Sequence, residues 1–224
     1  MMNANRNEIV NQDKGMTIFE QGALRYLTHQ EMEKIKSVRI GIAGAGGLGS
    51  NCAHFLVRCG FRNFILVDDD TVDGSNLNRQ FFFEDQVGKP KVSMLKDNLL
   101  RIDPELEIES VFKSVDRMNV AEMFNDADVI VEAFDKVEFK TMIVEAYMNS
   151  GKLLVAASGI GGWGHPDSIR VKQVKPGFFM VGDFITDISD TDPPLAPKVV
   201  MVAAKQADVV LQMVLGRWAH ETCS

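Results

Sequence analysis

Cysteine is scarce in this sequence, and no long hydrophobic run occurs. The only cysteines among the 224 residues are Cys52, Cys59 and Cys223, and no C-x-x-C pair is present. This excludes a disulfide framework and a four-thiolate zinc site, so no structural zinc is expected. No apolar run approaches the roughly 18 residues of a membrane span, and the first residues contain no apolar segment of the signal-peptide type. We therefore expect a reduced, soluble, cytoplasmic protein.

Positive charge is also scarce. Asp and Glu number 31 against 24 Lys and Arg, which gives a formal net charge of -7. Nucleic acids and anionic membranes attract proteins with a local positive excess, so we expect neither as a partner. Any anion that the chain binds must therefore be held by a small, focused site. The length and the hydrophobic content of 46% fit one domain with a substantial core.

Several of the 18 glycines cluster directly after one apolar segment. The segment 38–43 predicts a buried strand, and Gly44, Gly46 and Gly49 follow it in the order G-x-G-x-x-G. In nucleotide-binding proteins the first glycine permits a tight turn, the second admits phosphate, and the third lets helix and strand approach. Asp68 ends the next apolar strand, where a carboxylate can accept hydrogen bonds from ribose hydroxyls. The alternative is that these glycines serve packing only, and a dinucleotide dehydrogenase would carry the same loop.

Segments of strand and helix type alternate along the chain. Strands are predicted at 38–43, 64–67, 106–111, 127–133, 153–157 and 169–174, and helices at 48–59, 92–102, 120–124, 139–146 and 197–215. Such alternation is typical of parallel βαβ units with right-handed crossovers. We therefore predict an α/β fold with a Rossmann-like, doubly wound, mainly parallel sheet and antiparallel C-terminal strands. Residues 175–197 contain prolines and predict irregular structure.

Basic residues follow the second predicted strand. Arg79 lies in a polar turn, and Lys89 and Lys91 flank Pro90 at the start of helix 92–102. Lysines at the positive end of a helix dipole cost roughly 0.3 to 1 kcal/mol each unless an anion binds there. Solvated surface lysines would look the same in sequence. Together, Arg79 and Lys91 supply more positive charge than NAD needs, which favours a triphosphate.

Asp135 follows the strand 127–133, at the edge of the sheet where ligands bind in open α/β folds. A carboxylate beside a triphosphate repels it unless a magnesium ion stands between them. Asp135 is accordingly predicted to bind Mg²⁺. The spacing of Asp135 and Glu138 also fits a helix-capping pair, and the two roles are compatible.

The order of these motifs resembles the ubiquitin-activating (E1-like) superfamily, in particular its ThiF, MoeB and HesA group. The resemblance covers roughly residues 38–162, and the C-terminal segments resemble the shorter ThiF branch. The segments that carry it are Gly44-Ala45-Gly46-Gly47-Leu48-Gly49-Ser50, Leu66-Val67-Asp68-Asp69-Asp70, Ser75-Asn76-Leu77-Asn78-Arg79-Gln80 and Gly88-Lys89-Pro90-Lys91.

The resemblance implies a site for ATP and Mg²⁺. In that site Asp68 would bind ribose, Arg79 and Lys91 would bind phosphates, and Asp135 would hold the metal ion. Arg79, Lys91 and Asp135 are therefore the predicted catalytic residues. The predicted nucleotide-binding residues are Gly44, Gly46, Gly47, Gly49, Asp68, Asp70, Ser75, Asn76, Arg79 and Lys91.

The resemblance also implies a reaction. The chain would use ATP to adenylate the C-terminal Gly-Gly carboxylate of a small ubiquitin-like sulfur carrier protein (ThiS-like), releasing pyrophosphate, in thiamine thiazole biosynthesis. It implies a homodimer and a separate sulfur donor protein. An N-terminal arm with short helices would span 1–36, and a single adenylation domain 37–224. The glycine-rich loop 159–164 is a predicted access point for the carrier tail.

The sequence departs from full-length family members in three ways. It lacks the two C-x-x-C pairs of their structural zinc, and no cysteine lies between Cys59 and Cys223 to relay sulfur. Of the Arg-Tyr-x-Arg-Gln segment that supplies an arginine to the neighbouring subunit, only Arg25-Tyr26 is present.

Several alternatives stay open at this point. A MoeB-type activator or a tRNA-dehydratase-type activator would share these motifs, although the acidic composition argues mildly against RNA. An NAD-binding oxidoreductase or sensor would need no role for Lys91. A non-catalytic E1-like partner subunit would keep the fold without turnover.

Overall fold

The computed structural model describes residues 16–218, so the first 15 residues of the predicted arm and Cys223 lie outside the described residues. The strands are β1 Arg39–Ala43, β2 Asn63–Asp68, β3 Glu107–Phe112, β4 Val129–Glu132, β5 Leu153–Ala157, β6 Arg170–Lys175 and β7 Phe178–Gly182. The α-helices are α1 Ile18–Ala23, α2 His29–Lys36, α3 Gly47–Arg58, α4 Lys91–Leu100, α5 Val120–Met123, α6 Val137–Tyr147 and α7 Ala196–Leu215. Among the described residues no helix is both long and apolar enough to cross a bilayer.

One seven-stranded sheet forms the centre of the fold, with the strand order β3-β2-β1-β4-β5-β7-β6. The pairs from β3 to β7 run parallel, and β6 pairs antiparallel with β7. The predicted mainly parallel α/β sheet with an antiparallel C-terminal pairing is therefore confirmed. The chain order reverses between β1 and β4, which creates the crevice where open α/β sheets bind ligands.

Helices cover both faces of this sheet. On one face α3 packs against α7 and buries Leu48, Cys52 and Leu56, which are at most 2% exposed. On the other face α6 places Ile143 and Tyr147 against the sheet. Each fully buried aliphatic or aromatic side chain contributes about 1.5 to 3 kcal/mol relative to exposure. The central strands of the sheet are thus buried, while the edge strand β6 has exposed side chains along its length.

The structure corrects the prediction for residues 175–197 in one place. The run Phe178–Gly182 is a strand, β7, between β5 and β6 in the sheet, whereas irregular structure was predicted there. Phe178 and Phe179 are both buried, so the strand is apolar without alternation and has no period-2 signal. The boundary predicted at residue 36 stays a prediction, and Ile35 of α2 belongs to the main core.

Candidate functional site

A cleft of about 360 Å³ opens at the carboxyl ends of β1, β2 and β4. The register explains why the motifs meet there, since Ala43 pairs with Val67 on one side and with Glu132 on the other. The three strands therefore end side by side, and the residues that follow them lie close together at one edge of the sheet. The predicted site residues that line the cleft are Gly44, Gly46, Gly47, Asp68, Asp70, Arg79, Lys91 and Asp135.

The glycine loop has the geometry that its spacing predicts. Gly44 has φ +100°, and a Cβ there would lie 3.0 Å from the carbonyl oxygen of Ala133. A Cβ on Gly49 would lie 1.8 Å from the carbonyl oxygen of Gly44, so only glycine lets α3 approach the loop. Gly46 is the N-cap of α3 and supplies no side-chain cap. The first N–H groups of α3 consequently face the cleft without a side-chain acceptor, which favours an anion. Gly49 itself does not line the cleft.

Asp68 fastens the end of β2 to the glycine loop. Its Oδ2 accepts a hydrogen bond from the N–H of Ala45 at 2.6 Å, and its Oδ1 accepts one from the N–H of Asp70 at 2.8 Å. The residue is only 7% exposed, and burial raises the pKa of the Asp68 carboxyl, while Lys91 opposes that shift. Each oxygen keeps lone-pair capacity for a further donor.

Lys91 is the first residue of α4 and is 6% exposed. Its Nζ lies 2.7 Å from Oδ2 of Asp70, and its backbone N–H donates to the carbonyl oxygen of Asp70. The carboxylate compensates a cation that burial and the dipole of α4 both disfavour. Lys89, the other predicted lysine, is exposed and does not line the cleft.

Arg79 reaches the cleft from the polar segment after β2. Its Nη1 donates to the carbonyl oxygen of Ser75 at 3.0 Å and to Oδ1 of Asn78 at 2.8 Å. Burial lowers the pKa of the guanidinium, and the charge of Asp135 raises it. Within residues 16–218 Arg79 forms no salt bridge, so its charge is available to a ligand.

Ser75 and Asn76 do not line the cleft, although both are predicted nucleotide ligands. They form a 3₁₀ turn, Gly74–Asn76, that is fixed by hydrogen bonds to Asp73. The carbonyl oxygens of Ser75 and Asn76 accept hydrogen bonds from Arg79 instead. In this geometry the two residues support Arg79, and their direct contact with a nucleotide stays a prediction.

Asp135 stands exposed at the rim of the cleft. The N-cap of α6 is Lys136, without a side-chain cap bond, so the predicted capping pair of Asp135 and Glu138 does not form. Across the described residues the Asp135 carboxylate makes no hydrogen bond and no salt bridge. The preceding buried Glu132 is different, because its Oε1 accepts from the N–H of Phe134 and it pairs with Lys140 at 2.8 Å. The turn is therefore anchored and the Asp135 oxygens are free.

Two further cations border the cleft, and neither was identified from the sequence. Lys113 follows β3 and Lys136 follows Asp135, and both line the cleft. Lys113 could have been found from the rule that ligands bind at carboxyl ends of strands. Ile188 and Pro194 also line the cleft, and their distance along the chain from the glycine loop left no sequence signal.

A second cleft of about 470 Å³ adjoins the first. The glycine-rich loop begins in its wall, where a Cβ on Gly159 would lie 2.0 Å from Oδ1 of Asp183. The residues that border both clefts are Phe134, Asp135, Ile160 and Ile188. Asp135 thus stands where a ligand in one cleft would meet a ligand in the other.

Lys198 binds the segment that contributes Thr186 to the second cleft and Ile188 to both clefts. Its Nζ donates to the carbonyl oxygen of Gly161 at 2.6 Å, to Oδ2 of Asp183 at 2.7 Å and to Oγ1 of Thr186 at 2.9 Å. Burial alone would raise the pKa of Asp183, but hydrogen bonds from Lys198 and Thr186 outweigh it and hold that pKa well below its usual range.

Comparison with known proteins matches residues 20–223 of the chain to the ThiF family. The chain belongs to the ThiF family. The sulfur carrier protein ThiS adenylyltransferase of Bacillus subtilis is 30% identical over 82% of this ThiF-family chain and 56% of its own length. The molybdopterin-synthase adenylyltransferase of Escherichia coli is 27% identical over 86% of the chain and 79% of its own length.

Solved structures agree with the ThiF-family fold. Escherichia coli tRNA N6-threonylcarbamoyladenosine dehydratase, TcdA, in complex with AMP superimposes with a TM-score of 0.80, covering 88% of this chain and 94% of that one. At 22% identity this likeness shows the fold alone. The chain spans about half the length of several relatives that it matches, 43% and 56% for two of them. The predicted E1-like family membership is confirmed, and the named relatives differ in what they act on.

Proposed function

We propose that this chain transfers the adenylyl group of ATP to the C-terminal carboxylate of a small ubiquitin-like carrier protein. The observation that carries the proposal is the composition of the first cleft. It combines the uncapped N-terminus of α3 with several cations, among them Arg79 and Lys91, and with the unpaired carboxylate of Asp135. The names of the relatives, both adenylyltransferases, support the same activity.

In the proposed complex the nucleotide follows the strand ends. Asp68 accepts hydrogen bonds from ribose hydroxyls with the lone pairs that its backbone donors leave free. The phosphates lie at the N-terminus of α3, where backbone N–H groups and the helix dipole favour negative charge. Arg79 and Lys91 add charge-assisted hydrogen bonds, and Lys91 exchanges its contact with Asp70 for the phosphate.

The reaction is a substitution at the α-phosphorus. A carboxylate oxygen of the carrier forms the new bond to phosphorus, and the bond from the α-phosphorus to the oxygen that bridges it to the β-phosphorus breaks. The products are an acyl-adenylate and pyrophosphate, which keeps the leaving electron pair. The attacking carboxylate is already ionised near neutral pH, so no protein base is needed. The chain aligns the carboxylate with the α-phosphorus and reduces the repulsion between the carboxylate and the triphosphate by placing positive charge beside them.

Asp135 fits a magnesium site. Mg²⁺ binds through one or two carboxylates together with substrate phosphates, and the Asp135 oxygens are free at the point where the clefts meet. Asp68, Asp69 and Asp70 also lie close together, but Asp68 already accepts from two backbone N–H groups and is the proposed ribose acceptor, so it is not available to complete a metal site in this cluster. Asp135 is therefore the proposed ligand. The bound ion would neutralise charge on the phosphate oxygens.

The second cleft is the proposed path for the carrier tail. Its wall includes the small residues Ala157, Ser158 and Gly159, which leave room for an extended chain without side chains. A terminal Gly-Gly segment meets that requirement. A carboxylate that arrives through this cleft reaches Asp135, at the border with the nucleotide.

The finer assignments rest on the resemblance and on the relatives. A ThiS-like carrier and a role in thiamine thiazole formation follow the 30% identity to the Bacillus subtilis protein. A homodimer, a separate sulfur donor protein and a cytoplasmic location are proposed on the same basis. The molybdopterin-synthase adenylyltransferase relative makes a MoeB-type carrier the second substrate to test.

Two glycine substitutions separate folding from nucleotide binding. Gly49→Ala is expected to lower the free energy of unfolding by about 1 to 3 kcal/mol or more, because its methyl group would overlap the Gly44 carbonyl. Gly46→Ala adds a methyl group that meets only Nε2 of Gln80, at 3.8 Å, so we expect only the loss of about 1 kcal/mol or less that alanine costs relative to glycine at a helix N-cap. It should nevertheless weaken ATP binding about tenfold or more by filling the place of a phosphate. Urea unfolding and ATP titration measure the two effects, and equal loss of stability in both variants would contradict this division.

ATP–pyrophosphate exchange tests the proposed function. We expect exchange only when a carrier ending in Gly-Gly is present, and none with the same carrier amidated at its C-terminus. Asp135→Ala should abolish exchange, whereas Glu138→Ala, a matched exposed acid in the first turn of α6, should retain it. Running ThiS-like and molybdopterin-type carriers in parallel identifies the substrate. No exchange with any such carrier, together with tight NADH binding, would overturn the proposal.

A further inference from the structure

Glu132 and Lys140 form a buried ion pair that the proposed reaction leaves without a role. Nζ of Lys140 lies 2.8 Å from Oε2 and 3.1 Å from Oε1 of Glu132. The Glu132 side chain is 1% exposed and that of Lys140 is 22% exposed. Burying a carboxylate costs free energy that a well-placed cation offsets, so the pair fixes the position of the Lys140 ammonium group.

The same carboxylate also fixes the turn that carries Asp135. Oε1 of Glu132 accepts a hydrogen bond from the N–H of Phe134 at 2.8 Å. Lys140 lies in the first turn of α6, the helix that begins after Asp135. Glu132 therefore holds two groups at once, the backbone before Asp135 and the ammonium group of Lys140.

Lys140 lines the second cleft, which is the proposed path for the carrier tail. Among the described residues that line this cleft it is the only Lys, Arg or His, and the lining also contains four acids, Glu132, Asp135, Glu145 and Asp187. An ammonium group has three donors, and within the described part of the chain Lys140 makes hydrogen bonds to the two Glu132 oxygens alone. One donor is therefore left for a ligand in the cleft.

The chemistry of the tail indicates which of its atoms meets Lys140. Lys140 does not line the first cleft, where the terminal carboxylate must reach the α-phosphorus. The part of the tail that lies in the second cleft is therefore the backbone behind that carboxylate. Glycine residues offer no side chain, so main-chain carbonyl oxygens are the acceptors available there to an ammonium donor.

We propose that Lys140, held by Glu132, donates a hydrogen bond to a main-chain carbonyl oxygen of the carrier tail, an assignment that rests on the proposed function. The contact binds the tail through its backbone and leaves the terminal carboxylate free to react. Because Glu132 also fixes the turn before Asp135, one buried carboxylate positions both the tail-binding cation and the proposed metal ligand.

Carrier binding without ATP tests this assignment. Dissociation constants are measured for a ThiS-like and a molybdopterin-type carrier, each ending in Gly-Gly, and for the same carriers without their last four residues. The ratio of the constants for truncated and full-length carrier gives the contribution of the tail. We expect Lys140→Met to reduce that ratio about tenfold or more, because a hydrogen bond from a charged donor is lost. Lys34→Met, which removes an exposed lysine from α2, is the control and should keep the wild-type ratio.

Glu132→Gln combined with Lys140→Met provides a second variant in case Lys140→Met does not fold. It removes both charges, so no unpaired carboxylate stays buried, and the ratio should be as low as in Lys140→Met. A role of Lys140 in stability alone would leave the ratio unchanged, and that result in either variant overturns this proposal without touching carrier-dependent exchange by the wild type. If wild type binds neither carrier, or binds full-length and truncated carriers equally, the tail path itself is wrong and this proposal falls with it.

Discussion

Replacing Lys91 with methionine should reduce the rate of carrier-dependent adenylation by a factor of about 100 to 1,000. Lys91 is a buried cation whose only salt bridge among the described residues is to Asp70, at 2.7 Å. In the transition state, negative charge grows on the oxygens between the α- and β-phosphorus, and a fixed cation there stabilises it more than it stabilises bound ATP. The rate constant should therefore fall more than the affinity for ATP.

The exposed neighbour provides the control for this variant. Lys89→Met removes a lysine from the same loop, outside the cleft, and should keep the wild-type rate. Folding of the Lys91→Met protein is expected to persist because its partner Asp70 is 66% exposed in its side chain and can be solvated by water. Single-turnover adenylation assays on both variants give the comparison. Equal rates for the two variants would mean that Lys91 is not a phosphate ligand.

Replacing Lys198 with methionine should lower the free energy of unfolding near neutral pH by about 3 to 5 kcal/mol. Lys198 and Asp183 are both nearly inaccessible, with side chains 5% and 6% exposed. Removing the cation leaves an unpaired carboxylate in that environment and deprives Gly161 and Thr186 of their donor. Lys172→Met, an exposed lysine on β6, is the control and should change stability little.

The pH dependence of this loss has a definite sign. The pKa of Asp183 in the folded protein lies below its ordinary value of 3.8 because Lys198 and Thr186 bind its ionised form. The stability that this pair contributes is complete above the ordinary pKa and is lost as the pH falls towards the folded pKa. The difference between wild type and Lys198→Met should therefore shrink in acid. Urea unfolding at neutral and acidic pH tests this, and a difference that grows in acid would contradict it.

The same substitution should also damage the site. Lys198 ties Gly161 and Thr186 together, and the chain that follows supplies Ile188 and Pro194 to the first cleft. Without that tie the wall between the clefts loses its anchor. We therefore expect Lys198→Met to raise the KM for the carrier even at temperatures where the variant is folded.

How much of the site can be predicted from sequence depends on how far apart along the chain its residues lie. Gly44 and Gly49 are identifiable because a strand, a turn and a helix fix their positions within a few residues of one another, and Asp68 is identifiable because it ends the next parallel strand. Here the structure reproduces the predicted packing, with Gly49 directly against the carbonyl of Gly44. The same reasoning found Lys91 but gave no indication of its ion pair with Asp70.

The rest depends on long-range packing that one sequence does not display. Gln80 lies beside Gly46 because Asn51 and Ser50 fasten its neighbours to α3, about 30 positions earlier in the chain. Strand β7 was missed because both of its faces are buried, which removes the alternation that marks a half-exposed strand. The wall formed by Ile188 depends on the buried Lys198.

The most direct test of the central claim is mass spectrometry of the carrier after a single turnover. Incubation with ATP and Mg²⁺ should yield a carrier heavier by one adenylyl group, with the added group on its C-terminal glycine and one pyrophosphate released per adduct. An amidated carrier should gain no mass. Release of ADP and phosphate with no adenylylated carrier, or hydrolysis of ATP at the same rate with and without the carrier, would contradict the account.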